Sequence, residues 1–208
     1  MSSQIRKYEL KARAEKQAET RRRIVEATSA LHAEVGPART TVAEIARRAG
    51  VQRLTVYNNF PNEAELFDAC GQHSMEKNPP PDPSAALAIE DPAERLSAVL
   101  RPLYRWYRKN ARATENLQRD RLVMPALDGV MRVRMDQQFA RLADTLAAGF
   151  APKRRSARGV RAASALALDF WTWRRLAGEG MSDDGAAAVM VGAVKVVAED
   201  QVSGREAG

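Results

Sequence analysis

Apolar residues recur at steps of three and four along almost the whole chain, and no segment reads convincingly as an alternating strand. This is the period of an α-helix with one buried face, so the pattern predicts an all-α protein of about nine helices. The first firm helix carries Ile24, Ala27 and Leu31 on one stripe and ends at Gly36-Pro37. The charged arm before it lacks a broad apolar face, which predicts either a frayed helix or a disordered segment.

Two short helices with a tight turn between them come next. Thr41 can cap the first of them, and Glu44, three residues later, completes a capping box. Gly50 ends that helix, because the position after a helix often requires a positive φ. The second helix is predicted from about Arg53 to Phe60. This arrangement is typical of a helix-turn-helix, whose second helix enters the DNA major groove, although an ordinary helical hairpin with a polar surface is the alternative.

A proline-rich stretch marks a boundary further along the chain. Four prolines within residues 79–83 favour an extended, semi-rigid spacer. We therefore divide the chain into a basic arm (residues 1–19), a helix-turn-helix domain (20–78, with the motif at about 42–61), a linker (79–84) and a second helical domain (85–208). The longer helices of the second domain are predicted at about 92–110, 114–123, 125–149, 156–177 and 183–202.

Positive charge is concentrated in the first third of the chain. The 208 residues hold 33 Lys and Arg against 26 Asp and Glu, a net charge of +7. Residues 1–60 hold 12 basic against 6 acidic side chains, so they carry +6 of that excess. Such asymmetry indicates an N-terminal module that faces a polyanion, with a solvated basic tail as the alternative.

Few residues are available for metal, redox or membrane chemistry. One cysteine, Cys70, excludes an internal disulfide framework, and two histidines, His32 and His73, leave little for a zinc site. We expect no metal and no cofactor. The first residues lack the apolar core of a secretory signal, and the longest apolar run, residues 186–194, is too short to cross a bilayer. We therefore expect a cytoplasmic protein without a membrane partner.

Six short motifs occur in order within residues 20–67. They are Thr40-Thr41-Val42, Ile45-Ala46, Ala49-Gly50-Val51, Thr55-Val56-Tyr57, Phe60-Pro61 and Glu65-Leu66. This stretch resembles the DNA-binding domain of the TetR family of bacterial transcriptional regulators. The remainder resembles the family only in its long helices, because the second domains of these proteins diverge widely.

The resemblance implies DNA contacts at nine positions. It places two hydroxyl residues at phosphates, where the second helix of the domain begins, and the rest on the recognition helix or at its cap. Asparagine suits this role, since its amide can pair with adenine through two hydrogen bonds. The nine residues are Thr40, Thr41, Gln52, Arg53, Leu54, Thr55, Tyr57, Asn58 and Asn59.

Two positions depart from the family pattern. Gln52 occupies the cap position where Ser or Thr is frequent, and Glu63 occupies a position where a phosphate-binding lysine is common. A glutamate there would repel the DNA backbone. The basic arm either compensates for this repulsion or is a solvated tail.

The resemblance also implies that the second domain binds a small-molecule effector and holds a homodimer. The last helix is apolar around most of its circumference, which favours burial on two sides, although a fully internal helix is the alternative. The predicted dimer residues are Ala186, Val189, Met190, Ala193, Val194 and Val197. The candidate effector residues are Tyr104, Tyr107, Asn116, Arg119, Met124, Met131, Met135, Asp169 and Trp171.

Asp169 is the most specific of these candidates, because a buried carboxylate is costly without a partner. It either contacts the effector or forms a structural pair with an arginine of another helix.

These features together predict a dimeric repressor that a small molecule releases from an inverted-repeat operator. A regulator without an effector, an activator, an α-helical enzyme and a protein-interaction module are the alternatives. We expect no enzymatic activity, because the sequence has no nucleophile elbow, phosphate loop or metal-ligand spacing.

Overall fold

The computed structural model describes residues 2–150 and 156–199, with side chains from residue 7 onward. Within these ranges the chain is helical and has no β-strand, which confirms the predicted all-α class. The helices are α1 (Ser2–Glu34), α2 (Val42–Ala49), α3 (Arg53–Asn59), α4 (Glu63–Lys77), α5 (Ser84–Leu87), α6 (Pro92–Lys109), α7 (Ala111–Asp120), α8 (Pro125–Met131), α9 (Gln137–Gly149), α10 (Ala157–Leu168), α11 (Phe170–Gly178) and α12 (Asp183–Glu199). The predicted end of the last helix near residue 202 lies outside the described residues. None of the described helices combines the length and the apolar character needed to cross a membrane.

The chain divides into two compact units. The first consists of residues 1–79 and 115–131, and the second of residues 80–114 and 132–208. The division drawn from the sequence put all of residues 85–208 in one domain. In the structure, α8 packs against α4, and its Leu127 and Met131 are buried, so this segment clusters with the first unit.

The core of the first unit lies among the first four helices. Ile24 of α1 is fully buried, and Ile45 of α2 and Val56 of α3 are nearly so. Phe60, directly after α3, and Leu66 of α4 join the same apolar cluster. Burying these side chains holds the two short helices against α1, because helices of seven and eight residues are not stable on their own.

Helix α1 is longer than the sequence indicated. It includes residues 2–20 as regular helix rather than a frayed or disordered arm. Every side chain from Lys7 to Glu19 is exposed, which agrees with the lack of a broad apolar face in this segment.

The core of the second unit is built by α6, α9, α10 and α12. Leu100, Tyr104, Leu146, Val160 and Val194 are fully buried in it. At the edge of this core, the Trp173 indole N–H donates to the Asp183 carboxylate at 3.1 Å, and Arg108 pairs with the same group at 2.9 Å. These contacts tie α11 and α6 to the start of α12.

The predicted helix over 156–177 is interrupted. Asp169 has extended backbone (φ −74°, ψ 136°) and ends α10, and its carboxylate accepts the Thr172 backbone N–H at 2.8 Å to begin α11. The Tyr104 and Tyr107 hydroxyls donate to the Ala167 and Leu168 carbonyls, each at 2.7 Å. The two hydroxyls therefore satisfy carbonyl groups that the helix break leaves without helical partners.

The predicted helix over 125–149 is helical throughout, but its α-helical hydrogen bonding is interrupted once. A π-helical turn at Arg132–Asp136 stands between α8 and α9. Together with the break at Asp169 and the short α5, this turn explains why the structure has more helices than the sequence predicted.

Candidate DNA-binding surface

Helix α2 begins at a side-chain cap. The Thr41 hydroxyl accepts the Glu44 backbone N–H at 3.2 Å, as the capping box predicts. The second hydrogen bond of a capping box, from the Thr41 backbone N–H to the Glu44 carboxylate, is not formed. The Glu44 carboxylate binds Arg47 at 2.6 Å instead. This hydrogen bond lowers the pKa of Glu44. Thr40 is half-buried, and its hydroxyl donates to the Gly36 carbonyl at 2.8 Å, so Thr41 is the more exposed of the two threonines.

The turn between α2 and α3 depends on glycine. Gly50 has φ +64° and ψ +42°, a left-handed conformation that other residues adopt at a cost. Its backbone N–H donates to the Arg47 carbonyl, and the Val51 N–H donates to the Ala46 carbonyl at 2.9 Å. Arg23 of α1 binds the Ala49 and Gly50 carbonyls from outside the turn. The turn is thus fixed from both sides, and it directs the chain into α3.

Helix α3 presents a row of exposed side chains. Val56 packs into the core, while Leu54 and Tyr57 on the other side are 65% and 55% exposed. Gln52, Arg53 and Asn58 are exposed as well. Leu54 and Tyr57, three residues apart, lie next to each other on the helix and expose apolar and aromatic surface there.

Two of the predicted contact residues are less open. Thr55 and Asn59 are half-buried, and the Asn59 side-chain amide donates to the Thr55 carbonyl of its own helix at 2.8 Å. Gln52 makes no side-chain hydrogen bond at the start of α3, in line with its departure from the usual cap residue.

The end of α3 is anchored by α1. The Arg21 guanidinium lies 4.0 Å from the centre of the Phe60 ring and donates to the Asn59 carbonyl. Phe60 is 4% exposed and packs in the apolar cluster of the first unit, and we call its contact with Arg21 the Arg21–Phe60 lock. The sequence did not indicate this contact between Arg21 and Phe60, although the position of Arg21 on the stripe that leads into Ile24 is a signal that could have done so.

Comparisons with known proteins identify this arrangement. A family model described as "Bacterial regulatory proteins, tetR family" matches residues 24–70, the segment that holds α2, α3 and about half of α4. The chain is 31% identical over 133 residues to the HTH-type transcriptional repressor KstR of Mycolicibacterium smegmatis, covering 62% of this chain and 65% of that protein. It is 49% identical over 51 residues to the HTH-type transcriptional regulator TtgR of Pseudomonas putida, covering 24% of each. The matches thus span less than two thirds of these curated relatives.

Solved structures share the fold over nearly the whole chain. A TetR-like transcriptional regulator from Rhodococcus sp. RHA1 superposes with a TM-score of 0.58 at 19% identity, over 89% of this chain and 97% of that one. A TetR-family regulator from Syntrophomonas wolfei gives 0.57 at 16% identity, over 92% and 99%. Residues 24–70 thus match the TetR family, and the chain has a TetR-like fold. Within the matched segment α2 and α3 form a helix-turn-helix, and α3 occupies the position of its recognition helix.

The first unit contains a clamp that the sequence did not reveal. The Asn116 amide of α7 donates to the Ala33 carbonyl at 3.0 Å, near the end of α1. Asp120, also on α7, accepts the Ala38 backbone N–H at 2.9 Å. Burial alone would raise the pKa of Asp120, but hydrogen bonds from Arg119 and Ala38 hold it below the ordinary value. No local sequence pattern predicts this clamp, because it joins residues about eighty positions apart.

His32 is buried beside the clamp. Its ring centre lies 5.5 Å from that of Phe67. Burial lowers the pKa of His32 to about 4, against a smaller opposing effect of the Asp120 carboxylate. His32 is therefore neutral near pH 7.

The candidate effector residues are divided between the units. Asn116, Arg119, Met124 and Met131 belong to the first unit, and Tyr104, Tyr107, Met135, Asp169 and Trp171 belong to the second. Several already have structural partners: Asn116 and Arg119 take part in the clamp, both tyrosine hydroxyls bind carbonyls, and Asp169 caps α11.

A cavity of about 160 Å³ lies within the second unit. Its walls are mainly apolar and come from residues 80–83, from α6 and from α9, including Leu103 and Phe139. None of the nine candidate effector residues lines it. The structure therefore gives the second unit a cleft that the sequence-based candidates do not describe.

The predicted dimer residues face two directions. Ala186, Met190 and Val194 are buried in the core of their own unit and Val197 is half-buried, whereas Val189 and Ala193 are exposed. Val189 is 45% exposed, Val196 57% and Leu166 of α10 57%. Helices α10 and α12 lie side by side, since a Cβ on Gly159 would meet Val197 at 3.1 Å. We call Ala162, Leu166, Val189, Ala193 and Val196 the outer face of this helix pair.

Proposed function

We propose that the protein is a dimeric transcriptional repressor that binds duplex DNA through α3. The observation that carries this proposal is the exposed row on α3, held rigidly between a glycine turn and the Arg21–Phe60 lock. A helix held in this way can enter the major groove and keep its register there. The description of the KstR relative as a repressor supports the sign of regulation.

Individual side chains of α3 suit different parts of the duplex. Asn58 can read an adenine edge through its amide, and the methyl groups of Leu54 can contact a thymine methyl. Tyr57 can donate its hydroxyl to a phosphate, which positions the helix without reading sequence. Thr41, exposed at the start of α2, suits a second phosphate.

The dimer would form through the outer face. An apolar surface on paired helices favours a second copy of the same surface, because a two-fold interface needs only one self-complementary patch. Two recognition helices related by a two-fold axis would read an inverted repeat. Of the six residues predicted from the sequence, we retain Val189 and Ala193 at this interface.

We place effector binding in the second unit. Its mainly apolar cleft beside Leu103 and Phe139 suits a small apolar molecule. Asp169 and the neighbouring Trp171 remain candidates for the same role. Binding of such a molecule would release the repressor from DNA in the cytoplasm, and we assign the protein no enzymatic activity.

The proposal is tested by selecting bound sequences from a pool of random duplex DNA with the purified full-length chain. We expect an inverted repeat, occupied by two chains in sedimentation equilibrium. Enrichment of a single unrepeated half-site bound by one chain would contradict the dimer, and no enrichment would contradict specific DNA binding.

A further inference from the structure

The part of α1 before the core is a second charged surface of the first unit. Ile24 is its first buried residue, so the helix from Lys7 to Ile24 extends about 25 Å beyond the apolar core. Every side chain from Lys7 to Glu19 is exposed, and Tyr8 and Leu10 are 75% and 61% exposed. The segment from Lys7 to Glu19 therefore packs against none of the other described helices.

Charges on this extension are segregated around the helix. At about 100° per residue, Lys7, Lys11, Arg13 and Arg21 fall within an arc of roughly 160° that contains no acidic residue. We call these four residues the basic face. The acidic residues Glu9, Glu15, Glu19 and Glu26 lie on the remaining arc.

Acidic side chains also engage one basic residue outside that arc, Arg22. Arg22 pairs with Glu19 and Glu26, each at 2.6 Å. Lys7 and Arg13 have no acidic partner among the described residues, and the Lys11–Glu15 pair is loose at 3.9 Å. The basic face therefore keeps most of its charge for an external anion.

The basic face is continuous with the recognition helix. Arg21 belongs to it and also contacts Asn59 and Phe60 at the end of α3. The buried residues Ile24, Thr28 and Leu31 continue the same side of α1 into the core, against which α2 packs. The basic face thus points to the side of α1 that carries the helix-turn-helix.

We propose that the basic face of α1 binds the phosphate backbone of DNA outside the segment that α3 reads. This inference rests on the proposed DNA binding and extends it to a second, sequence-independent contact. Duplex DNA is favoured over a helical partner or a membrane, because Leu10 is the only large apolar residue on this face, whereas both of those partners need an apolar stripe. The contact would also offset the repulsion expected from Glu63.

The test is the salt dependence of binding to a 30-base-pair duplex of mixed sequence, measured by fluorescence anisotropy. The variant Lys7→Gln/Lys11→Gln/Arg13→Gln removes three charges from the basic face, and glutamine preserves helix propensity. Lys16→Gln/Lys77→Gln/Lys109→Gln removes the same charge at exposed positions elsewhere and serves as the control. Circular dichroism checks that both variants keep the helix content of the wild type.

We expect the first variant to bind more weakly at 0.1 M salt, and its slope of log K against log salt to be shallower by about 2 to 3, since each phosphate contact contributes about 0.9. The control should keep the slope of the wild type. Equal changes in both variants would overturn the inference, since net charge alone would then explain the effect. An unchanged slope with lost binding to anionic lipid vesicles would overturn it in favour of a membrane. Failure of the wild type to bind duplex DNA at any salt would instead refute the proposed function, and the inference with it.

Discussion

Replacing valine by aspartate on α12 should have opposite effects on the outer face and in the core of the second unit. Val194 and Val196 are two residues apart on α12, but Val194 is fully buried and Val196 is 57% exposed. Val196→Asp places a carboxylate in water when the chain is alone, so it should change the free energy of unfolding of the monomer by no more than about 0.5 kcal/mol. Its effect should fall on assembly.

Val194→Asp should act on folding instead. It loses the burial of a valine side chain, about 1.5–3 kcal/mol, and buries a carboxylate whose unpaired charge costs several kcal/mol more. The sum is a large share of the roughly 5–15 kcal/mol that stabilises an ordinary protein. A loss of about 4 kcal/mol would lower the melting temperature by roughly 8–16 °C.

Sedimentation velocity and thermal denaturation followed by circular dichroism separate the two effects. We expect Val196→Asp to be a folded monomer with weak affinity for the selected operator. Val194→Asp should melt early or fail to fold. Leu166→Asp on α10 repeats the test of the outer face from the neighbouring helix. If the wild type is a dimer and both outer-face variants are dimers of equal stability, the outer face is not the interface.

Two further predictions concern the interior of each unit. Because burial lowers the pKa of His32 to about 4, the unfolded chain binds more protons than the folded one between pH 4 and 6.5; stability should therefore fall as pH drops through that window, by at most about 1.4 kcal/mol per unit. Denaturation in urea at several pH values measures this slope, which should flatten in His32→Gln, and equal slopes in both proteins would disprove the assignment. Tyr107→Phe leaves the buried Leu168 carbonyl without its donor and should cost about 1–3 kcal/mol, measured by the same method. Tyr8→Phe at an exposed position is the matched control. Equal stability of the two variants would show that the Tyr107 hydrogen bond does not stabilise the fold.

Much of the first unit could be predicted because its signals are local. Thr41 and Gly50 set the two ends of α2 through neighbours a few residues away, and a single period of apolar positions orients each short helix. The limits of α2 and α3 therefore agree with the prediction to within one or two residues.

The features that were not predicted depend on distant contacts. Asp169 lies in a stretch whose apolar period fits one long helix, and the break there becomes favourable because Tyr104 and Tyr107, more than sixty positions away, supply donors to the freed carbonyls. The same holds for Asn116, one of the effector candidates, whose hydrogen bond to the end of α1 no local pattern indicated.

The outer face shows a third limit. The last helix is apolar all round, so its pattern could not tell which residues face the core. Only the packing of α10 and α6 against α12 separates the buried Val194 from the exposed Val196.

The claim that α3 reads DNA bases is tested most directly by repeating the selection from random duplex DNA with two variants of that helix. We predict that Asn58→Ala alters the preferred base at one position in each half-site, with a loss of about 1–3 kcal/mol on the wild-type sequence. Tyr57→Phe should keep the wild-type motif and weaken specific and non-specific duplexes alike, because phosphates carry no sequence information. A changed motif for Tyr57→Phe together with an unchanged motif for Asn58→Ala would contradict this orientation of α3 on DNA.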